Sequence, residues 1–236
     1  MTKSSSPRRS FAGIAARLFA GALLAGLLLS VLPVLALRWL DPPFTAMMLE
    51  QPGSLGDVEH TWVDRSRISA AAARAVIASE DQRFFEHHGL DFVSIERALD
   101  DYQSGDDLRG ASTITQQVAK NLFLWGGRSF VRKALEAYFA LLLEALLPKQ
   151  RILEIYLNVA ELGPNVFGVE AAAQRYFRTS AAKLTASEAA LLAAVLPNPR
   201  RLSAVNPSAY VRGRQAWVLE QMTLLETRGH YRLLAW

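Results

Sequence analysis

The hydrophobic pattern of the chain changes sharply near residue 38. Residues 18–37 form an uncharged run of twenty residues, preceded by four basic residues and closed by Arg38. About twenty apolar residues, each adding 1.5 Å, cross a hydrocarbon core about 30 Å thick, whereas a cleavable signal peptide has an apolar region of roughly 7–15 residues. The pattern therefore predicts a basic cytoplasmic tail at 1–17 and one transmembrane signal anchor at 18–40. Because basic flanks stay in the cytoplasm, the chain from Asp41 onward is expected on the opposite face of the membrane.

Helical spacing dominates the pattern beyond this anchor. Residues 41–56 are rich in Pro and Gly and predict a linker. From residue 57 onward, apolar positions recur at intervals of three and four, and polar N-cap residues stand before several of these runs. The predicted N-caps are Ser69, Ser112 or Thr113, Ser129, and Thr185, which forms a capping box with Glu188. No alternating strand pattern appears, so we predict a single, mainly α domain at 57–236.

Composition and charge narrow the classes of function. The chain contains no cysteine, which excludes disulfide bonds and thiolate metal sites. Residues 1–40 carry five of the 26 Lys and Arg residues and none of the 22 Asp and Glu residues. The remainder is close to neutral, so the composition does not support nucleic-acid binding. Within this remainder, acidic residues are concentrated between 80 and 109 and basic residues between 120 and 151.

The segment SEDQRFFEHHGLDF places Glu80 at the end of an alanine-rich helical stretch. Backbone carbonyls at a helix C-terminus and apolar surroundings both disfavour a negative charge there, which suits a carboxylate that exchanges protons near neutral pH. An exposed glutamate at a helix end is the ordinary alternative. The neighbouring His87 and His88 cannot easily converge on one ion, and no metal-binding motif accompanies them, so no metal site is predicted.

The segment GASTITQQVAKN predicts a polar helix edge. On a helix, Gln116 lies one turn below Lys120, and Gln117 one turn below Asn121. Two amides, an ammonium and a carboxamide along one edge are suited to binding sugar hydroxyls and a phosphate. A solvated outer face of the helix is the alternative.

The segment RSFVRKALEAYF has basic residues at helical spacing. Arg128 and Arg132 are one turn apart, and so are Arg132 and Glu136. One interpretation is a cationic cluster that binds a pyrophosphate, since Arg binds phosphate bidentately and Lys acts as a point charge. The alternative is a surface ion pair, which contributes only a few tenths of a kcal/mol.

Taken in chain order, EDQRFFEHHG, GASTITQQVAKN, RKALE and KQRILEIYLN resemble the four sequence motifs of the peptidoglycan glycosyltransferases. Farther on, NVAELGPNVFGVEAAAQRYF resembles the fifth motif of that family, so the resemblance covers roughly residues 71–207. It implies a lysozyme-like helical fold and polymerisation of lipid II. A short chain with one anchor resembles the monofunctional members. SAAK at 180–183 matches the S-x-x-K of transpeptidases, but the residues after it are too few for such a domain.

The resemblance also implies roles for individual residues. Glu80 would be the general base that takes a proton from the 4-hydroxyl of the acceptor GlcNAc as it attacks C1 of the donor MurNAc with inversion. Glu136 would be the second catalytic carboxylate, which orients or stabilises the reacting groups. Gln117, Lys120 and Arg128 match positions that bind the donor's phosphate and sugar. The full predicted substrate-binding set is Asp81, Phe84, Ser112, Thr113, Gln116, Gln117, Lys120, Asn121, Arg128, Arg132 and Lys133.

Two alternatives remain open beside this interpretation. A lysozyme-like lytic enzyme would use Glu80 as an acid, because a hydrolase must protonate its leaving oxygen. A phosphate leaving group instead departs without protonation when cations neutralise it, and the basic stretch favours this transfer. The second alternative is a non-catalytic, membrane-anchored partner of the cell-wall machinery.

Further expectations concern partners and surroundings. The predicted partners are lipid II, the growing lipid-linked glycan chain, the membrane and other cell-wall synthesis or division proteins, with no nucleic acid. No cofactor is required, and Mg²⁺ or Mn²⁺ at the pyrophosphate is left open. The predicted location is the bacterial inner membrane, with the catalytic domain on the periplasmic face. Residues 100–112 predict a flap, and an apolar lip is predicted from Phe123, Leu124, Trp125 and Phe130, with core packing as its alternative.

Overall fold

The computed structural model describes residues 11–104, 112–127, 129–234 and 236. These ranges contain ten α-helices and a small three-stranded sheet. The helices are α1 (Phe11–Ala36), α2 (Ala46–Leu49), α3 (Ala70–Glu80), α4 (Phe92–Gln103), α5 (Ile114–Phe123), α6 (Phe130–Leu146), α7 (Lys149–Val159), α8 (Val169–Ala172), α9 (Ala186–Val195) and α10 (Ala209–Thr227). Short 3₁₀ turns connect several of them, and α8 continues into a π-helical turn at Ala173–Phe177. The mainly α prediction is confirmed.

Helix α1 is the membrane-anchor candidate. Of the described residues, only Gly13–Ala36 form a helix long and apolar enough to cross a membrane, with 24 residues and a mean hydropathy of 2.4. The helix starts earlier than the predicted 18–40 segment. Its C-terminal half packs on α6, where the hydroxyls of Ser30 and Tyr138 lie 2.7 Å apart. Arg151 of α7 donates to the carbonyl of Leu37 at 2.8 Å, so the end of the anchor is joined to the helical domain.

The core is built where α9 packs between α3 and α10, and α5 packs on α6 and α7. Alanine-rich α3 and α9 bury most of their side chains, and small side chains allow neighbouring helices to approach closely. The predicted caps are confirmed, because Ser69, Thr113, Ser129 and Thr185 each accept a backbone N–H of the first helical turn. These signals are local, so the sequence alone could identify them.

The structure also contains three short strands that no pattern in the sequence indicated. Strands β1 (Glu59–His60), β2 (Glu161–Gly163) and β3 (Val166–Phe167) form a sheet in the order β1-β3-β2, with β1 parallel and β2 antiparallel to β3. Each has only two or three residues, which is too short to show an alternating pattern. Gly168 follows β3 with φ +82°, and a Cβ there would lie 2.5 Å from the carbonyl oxygen of Asn158. This close approach requires glycine.

The predicted linker at 41–56 is partly built into the domain. Thr45 caps α2, and α2 packs on α5 with Met48 buried. Glu50 accepts the backbone N–H of Gly126 at 2.7 Å, so this segment also contacts the loop after α5. The boundary between linker and domain therefore lies within the segment rather than after it.

Candidate active site

Glu80 is the last residue of α3 and lies half-buried on the wall of a cavity of about 210 Å³. Its Oε1 accepts a hydrogen bond from the hydroxyl of Ser79 at 2.9 Å, and its Oε2 accepts one from the amide Nε2 of Gln117 at 2.9 Å. Arg83 and Arg97 also line this cavity. The carboxylate is thus held by two donors while its cavity side stays open to a ligand.

The loop after Glu80 is tied to the N-terminus of α5. Asp81 is buried, and its Oδ2 accepts the backbone N–H of Ile114 at 3.0 Å. The Nε2 of His87 donates to both Asp81 oxygens, at 2.9 and 3.0 Å. The hydroxyl of Thr113 donates to the carbonyl of Gly89 at 2.6 Å. These contacts hold α3 and α5 in a fixed relation, which places Glu80 beside the side chains of α5.

A cluster on α6 surrounds a second carboxylate. Glu136 is buried, and its two oxygens accept hydrogen bonds from Nη1 of Arg132 at 2.9 Å and from Nζ of Lys133 at 2.5 Å. Lys133 also donates to the hydroxyl of Ser112 at 3.2 Å. Burial lowers the pKa of Lys120 from its ordinary value, and the carboxylate of Glu136 opposes that shift. Two cationic side chains therefore bind one buried carboxylate directly, and the pKa of Lys120 responds to the charge of the same carboxylate.

Helix α5 connects this cluster to Glu80. Gln117 contacts Glu80, and Lys120 follows it by three residues on the same helix, so the two side chains lie on neighbouring positions of one face. The structure thus brings the predicted base and the predicted cationic cluster to adjacent positions.

A buried pair behind the site was missed by sequence reasoning. Glu144 of α6 accepts from Nζ of Lys149 at 2.7 Å and from the hydroxyl of Thr115 at 2.6 Å. The ammonium of Lys149 lies 4.4 Å from the ring centre of Phe84. Burial lowers the pKa of Lys149, and Glu144 opposes that shift. The pair joins α5, α6 and α7 beneath the loop that follows Glu80.

Comparison with known proteins identifies the family. A family model described as Transglycosylase matches residues 48–223. The chain belongs to the transglycosylase family. Its relatives include proteins named biosynthetic peptidoglycan transglycosylase. The one from Stutzerimonas stutzeri (strain A1501) is 53% identical over 203 residues, which cover 84% of each chain. The one from Aeromonas hydrophila is 50% identical over 216 residues, which cover 89% of this chain and 92% of the relative. A third, from Shewanella oneidensis, is 49% identical over 200 residues, 83% of this chain and 86% of the relative.

Several residues predicted to bind substrate are buried in this transglycosylase. Phe84 is completely enclosed and packs on Phe85, and Gln116 closes the capping box of α5 through the backbone of Thr113. For these residues the structure indicates bracing of the site instead of contact with a ligand. The predicted residues whose side chains are buried are Asp81, Phe84, Thr113, Gln116 and Asn121.

Of the remaining predicted residues, Arg132 is mostly buried beside Glu136, and the others are accessible or lie outside the described ranges. Ser112, Gln117, Lys120 and Lys133 are at least partly exposed. Gln117 was assigned to the substrate, whereas its amide binds Glu80 in the structure. Arg128 and residues 105–111 of the predicted flap lie outside the described residues. Among the residues that are described, no group of three or more His, Asp or Glu side chains is arranged to hold a metal ion.

The predicted apolar lip divides into a packed part and an exposed part. Leu124 is buried, and Phe123 is partly buried and stacks on Phe139 with ring centres 4.6 Å apart, so these two positions pack against the core. Trp125 is half-exposed, and Phe130 at the start of α6 is 96% exposed. Phe130 belongs to α6, the helix that contacts α1, whereas Trp125 lies in the loop before α6.

Proposed function

We propose that this transglycosylase polymerises lipid II into β-1,4-linked glycan strands and releases undecaprenyl pyrophosphate. One observation carries the proposal: a single helix, α5, places Gln117 on the open carboxylate of Glu80 and Lys120 beside the cluster around Glu136. A proton acceptor and a binding region for an anionic leaving group therefore flank one reaction centre. The relatives' names agree with glycan synthesis.

Glu80 acts as the general base in this proposal. Each carboxylate oxygen already accepts one hydrogen bond and has a further lone pair for the acceptor hydroxyl. The hydroxyl proton moves to Glu80 as the hydroxyl oxygen forms a bond with C1 of the donor. The bond between C1 and the phosphate oxygen breaks on the opposite face, and its electron pair leaves with the pyrophosphate. Attack from the opposite face inverts the configuration at C1.

The cationic side chains stabilise the leaving group. Negative charge grows on the pyrophosphate as its bond to C1 breaks, and fixed cations that face this charge lower the barrier. Lys133 is half-exposed and Lys120 is partly exposed, so both can reach a phosphate. Arg132 is mostly buried and holds Glu136, which keeps the cluster in place. The proposed role of Glu136 is therefore to position these cations.

The burial and hydrogen bonds of Glu136 disfavour the lytic alternative. Cleavage of a glycosidic bond requires one carboxyl group that protonates the leaving oxygen and a second that assists attack. Glu136 is buried and accepts from both Arg132 and Lys133, so it does not face the cavity beside Glu80 as a free acid. Of the two candidate carboxylates, only Glu80 is open to that cavity.

We further propose a membrane location in which α1 spans the bacterial inner membrane and the domain lies on the periplasmic face. The length and apolar composition of Gly13–Ala36 support a span, and the basic residues before it support this orientation. A lipid-linked substrate stays in the bilayer, so its polymerase must work at the membrane surface. The contacts of α1 and the residues just after it with α6 and α7 support a site near that surface.

The test is polymerisation of purified lipid II by the wild type and by Glu80→Gln. Loss of a general base lowers turnover by about 10²–10⁴-fold, whereas glutamine retains the volume of the side chain and the fold. Glu220→Gln on α10 is the matched control, because Glu220 is an exposed glutamate far along the chain from the site. Polymerisation by Glu80→Gln at the wild-type rate, or cleavage of preformed strands without polymer, would overturn the proposal.

A further inference from the structure

Tyr156 lies directly behind the proposed base. It belongs to α7 and is completely buried among core residues. Its hydroxyl donates to the amide oxygen Oε1 of Gln117 at 3.1 Å. The other end of the same amide donates to Oε2 of Glu80 at 2.9 Å. A continuous hydrogen-bonded chain therefore runs from the core tyrosine to the carboxylate that faces the cavity.

The chemistry of these groups determines the direction of the chain. A carboxylate can only accept hydrogen bonds, so the NH₂ end of Gln117 must face Glu80. The carbonyl end then faces α7 and requires a donor, which Tyr156 supplies. Burial raises the pKa of Tyr156 well above its ordinary value, and the nearby carboxylates of Glu80 and Asp81 add to this shift. The phenol therefore keeps its proton and remains a donor throughout the working pH range.

We propose that Tyr156 is a positioning residue for glycosyl transfer and that it acts through Gln117 to hold the carboxylate of Glu80 in the geometry that accepts the proton. The proposal rests on the function proposed above for Glu80. Ser79 holds the other carboxylate oxygen, so two donors together orient the group. Without the phenol, the carbonyl of Gln117 has no other hydrogen-bond donor among the residues that the structure describes, and its amide can turn away from Glu80.

A purely structural role for Tyr156 predicts a different result. In that case the ring fills space in the core, and its hydroxyl affects stability alone. Tyr156→Phe separates the two roles, because it keeps the ring and removes only the hydroxyl. We expect kcat to fall about 10- to 100-fold with KM within about twofold, since a small misplacement of a catalytic group slows chemistry without weakening substrate binding.

Tyr231→Phe is the matched control. The hydroxyl of Tyr231 donates to the carbonyl of Arg74 at the same distance, 3.1 Å, and the residue is also buried, but it packs beside α3 and α10 near the end of the chain. Both substitutions remove one buried hydrogen bond, so we expect similar small decreases in the thermal midpoint. Only Tyr156→Phe is expected to lower kcat.

A double-mutant cycle with Gln117→Ala tests whether the effect passes through the amide. If it does, Tyr156→Phe lowers kcat in the wild type and causes little further loss in Gln117→Ala. Equal losses in both backgrounds, or a wild-type kcat for Tyr156→Phe while Glu80→Gln is inactive, would overturn this inference and leave the proposed function intact. If Glu80→Gln still polymerises lipid II, the proposed function fails and the inference fails with it.

Discussion

The buried carboxylate of Glu136 provides the strongest test of how the cationic cluster is held. Its side chain is only 4% exposed and accepts from Arg132 at 2.9 Å and from Lys133 at 2.5 Å. The side chain of Arg132 is 12% exposed, and that of Lys133 is 49% exposed. The Nε of Arg132 is buried without a partner among the described residues. Glu136→Gln would therefore remove the charge that compensates a mostly buried guanidinium.

The cost of this change follows from the burial of each partner. Breaking a buried ion pair by removing one charge costs about 3–5 kcal/mol. Lys133 is half-exposed and can be solvated, so its loss adds less than about 1 kcal/mol. Because the glutamine of Glu136→Gln keeps one oxygen that can accept from Arg132, we expect a total loss of folding stability of about 3 kcal/mol, at the lower end of this range. For a chain of 236 residues, each kcal/mol lowers the thermal midpoint by about 2–4 °C. Glu136→Gln is therefore expected to lower the midpoint by about 6–12 °C.

Thermal unfolding of the full chain in detergent micelles measures this effect, and lipid II polymerisation is followed on the same samples below the midpoint. We expect Glu136→Gln to lose both stability and activity. Glu80→Gln is the comparison, because Glu80 is half-buried and is expected to lose activity with a nearly unchanged midpoint. If Glu136→Gln is inactive but unfolds within about 2 °C of the wild type, then Glu136 does not brace the cations, and our reasoning about its role is refuted.

Two further predictions concern the leaving-group site and the membrane face. Burial lowers the pKa of Lys120 below 10.5, so this side chain loses its positive charge at a lower pH than in the unfolded chain. Since the charge is proposed to bind phosphate, the affinity for a phosphoglycolipid should decrease as pH rises through the lowered pKa. The affinity of Lys120→Arg for the phosphoglycolipid should not decrease between pH 7 and about 10, because arginine keeps its charge over this range. If the wild type and Lys120→Arg show the same pH dependence, the assignment of Lys120 to phosphate binding is contradicted. The chain has no cysteine, so a fluorescent probe on Phe130→Cys reports its own environment in proteoliposomes. We expect the emission of a probe at Phe130→Cys to be typical of a bilayer, and that of a probe at Leu224→Cys on α10 to be typical of water. Water-like emission from both probes would exclude insertion of the start of α6 into the bilayer.

The lowered pKa of Lys120 also has a consequence for stability. The unfolded chain binds a proton at this side chain over a pH range in which the folded chain has released it. Stability should therefore rise with pH between the lowered folded value and the ordinary value of 10.5, and a bound anion should reduce this rise by restoring the charge.

Local signals allowed much of the fold to be predicted from the sequence alone. A long uncharged run predicted the apolar helix α1, and the N-caps at Ser69, Thr113, Ser129 and Thr185 marked helix starts that the structure confirms. Each of these depends on residues within one or two helical turns of each other. Backbone hydrogen-bonding requirements at a helix end are satisfied by neighbours in the chain, and so they are visible in the sequence.

The sequence also identified the segments that carry the candidate carboxylates and cations, but it did not show which side chains face the cavity. Phe84 and Gln116 are enclosed, and Gln117 binds Glu80. The sheet was missed because β1 pairs with β3 across about a hundred residues of chain, and no local pattern encodes that pairing. Helical periodicity gives the face on which a residue lies, but not the element that covers that face.

Only the tertiary structure decided how the reaction centre is assembled. Tyr156 reaches Gln117 from a position 39 residues away along the chain. Glu136 pairs with Arg132 and Lys133 within its own helix, but tertiary packing, which includes that of α5 on α6, decides that this carboxylate is buried. Hydrogen bonds and desolvation act over a few ångströms in space, so the strength and role of these groups depend on neighbours that are distant in the chain. The sequence determined which chemistry was available, and the packing of the helices determined which groups perform it.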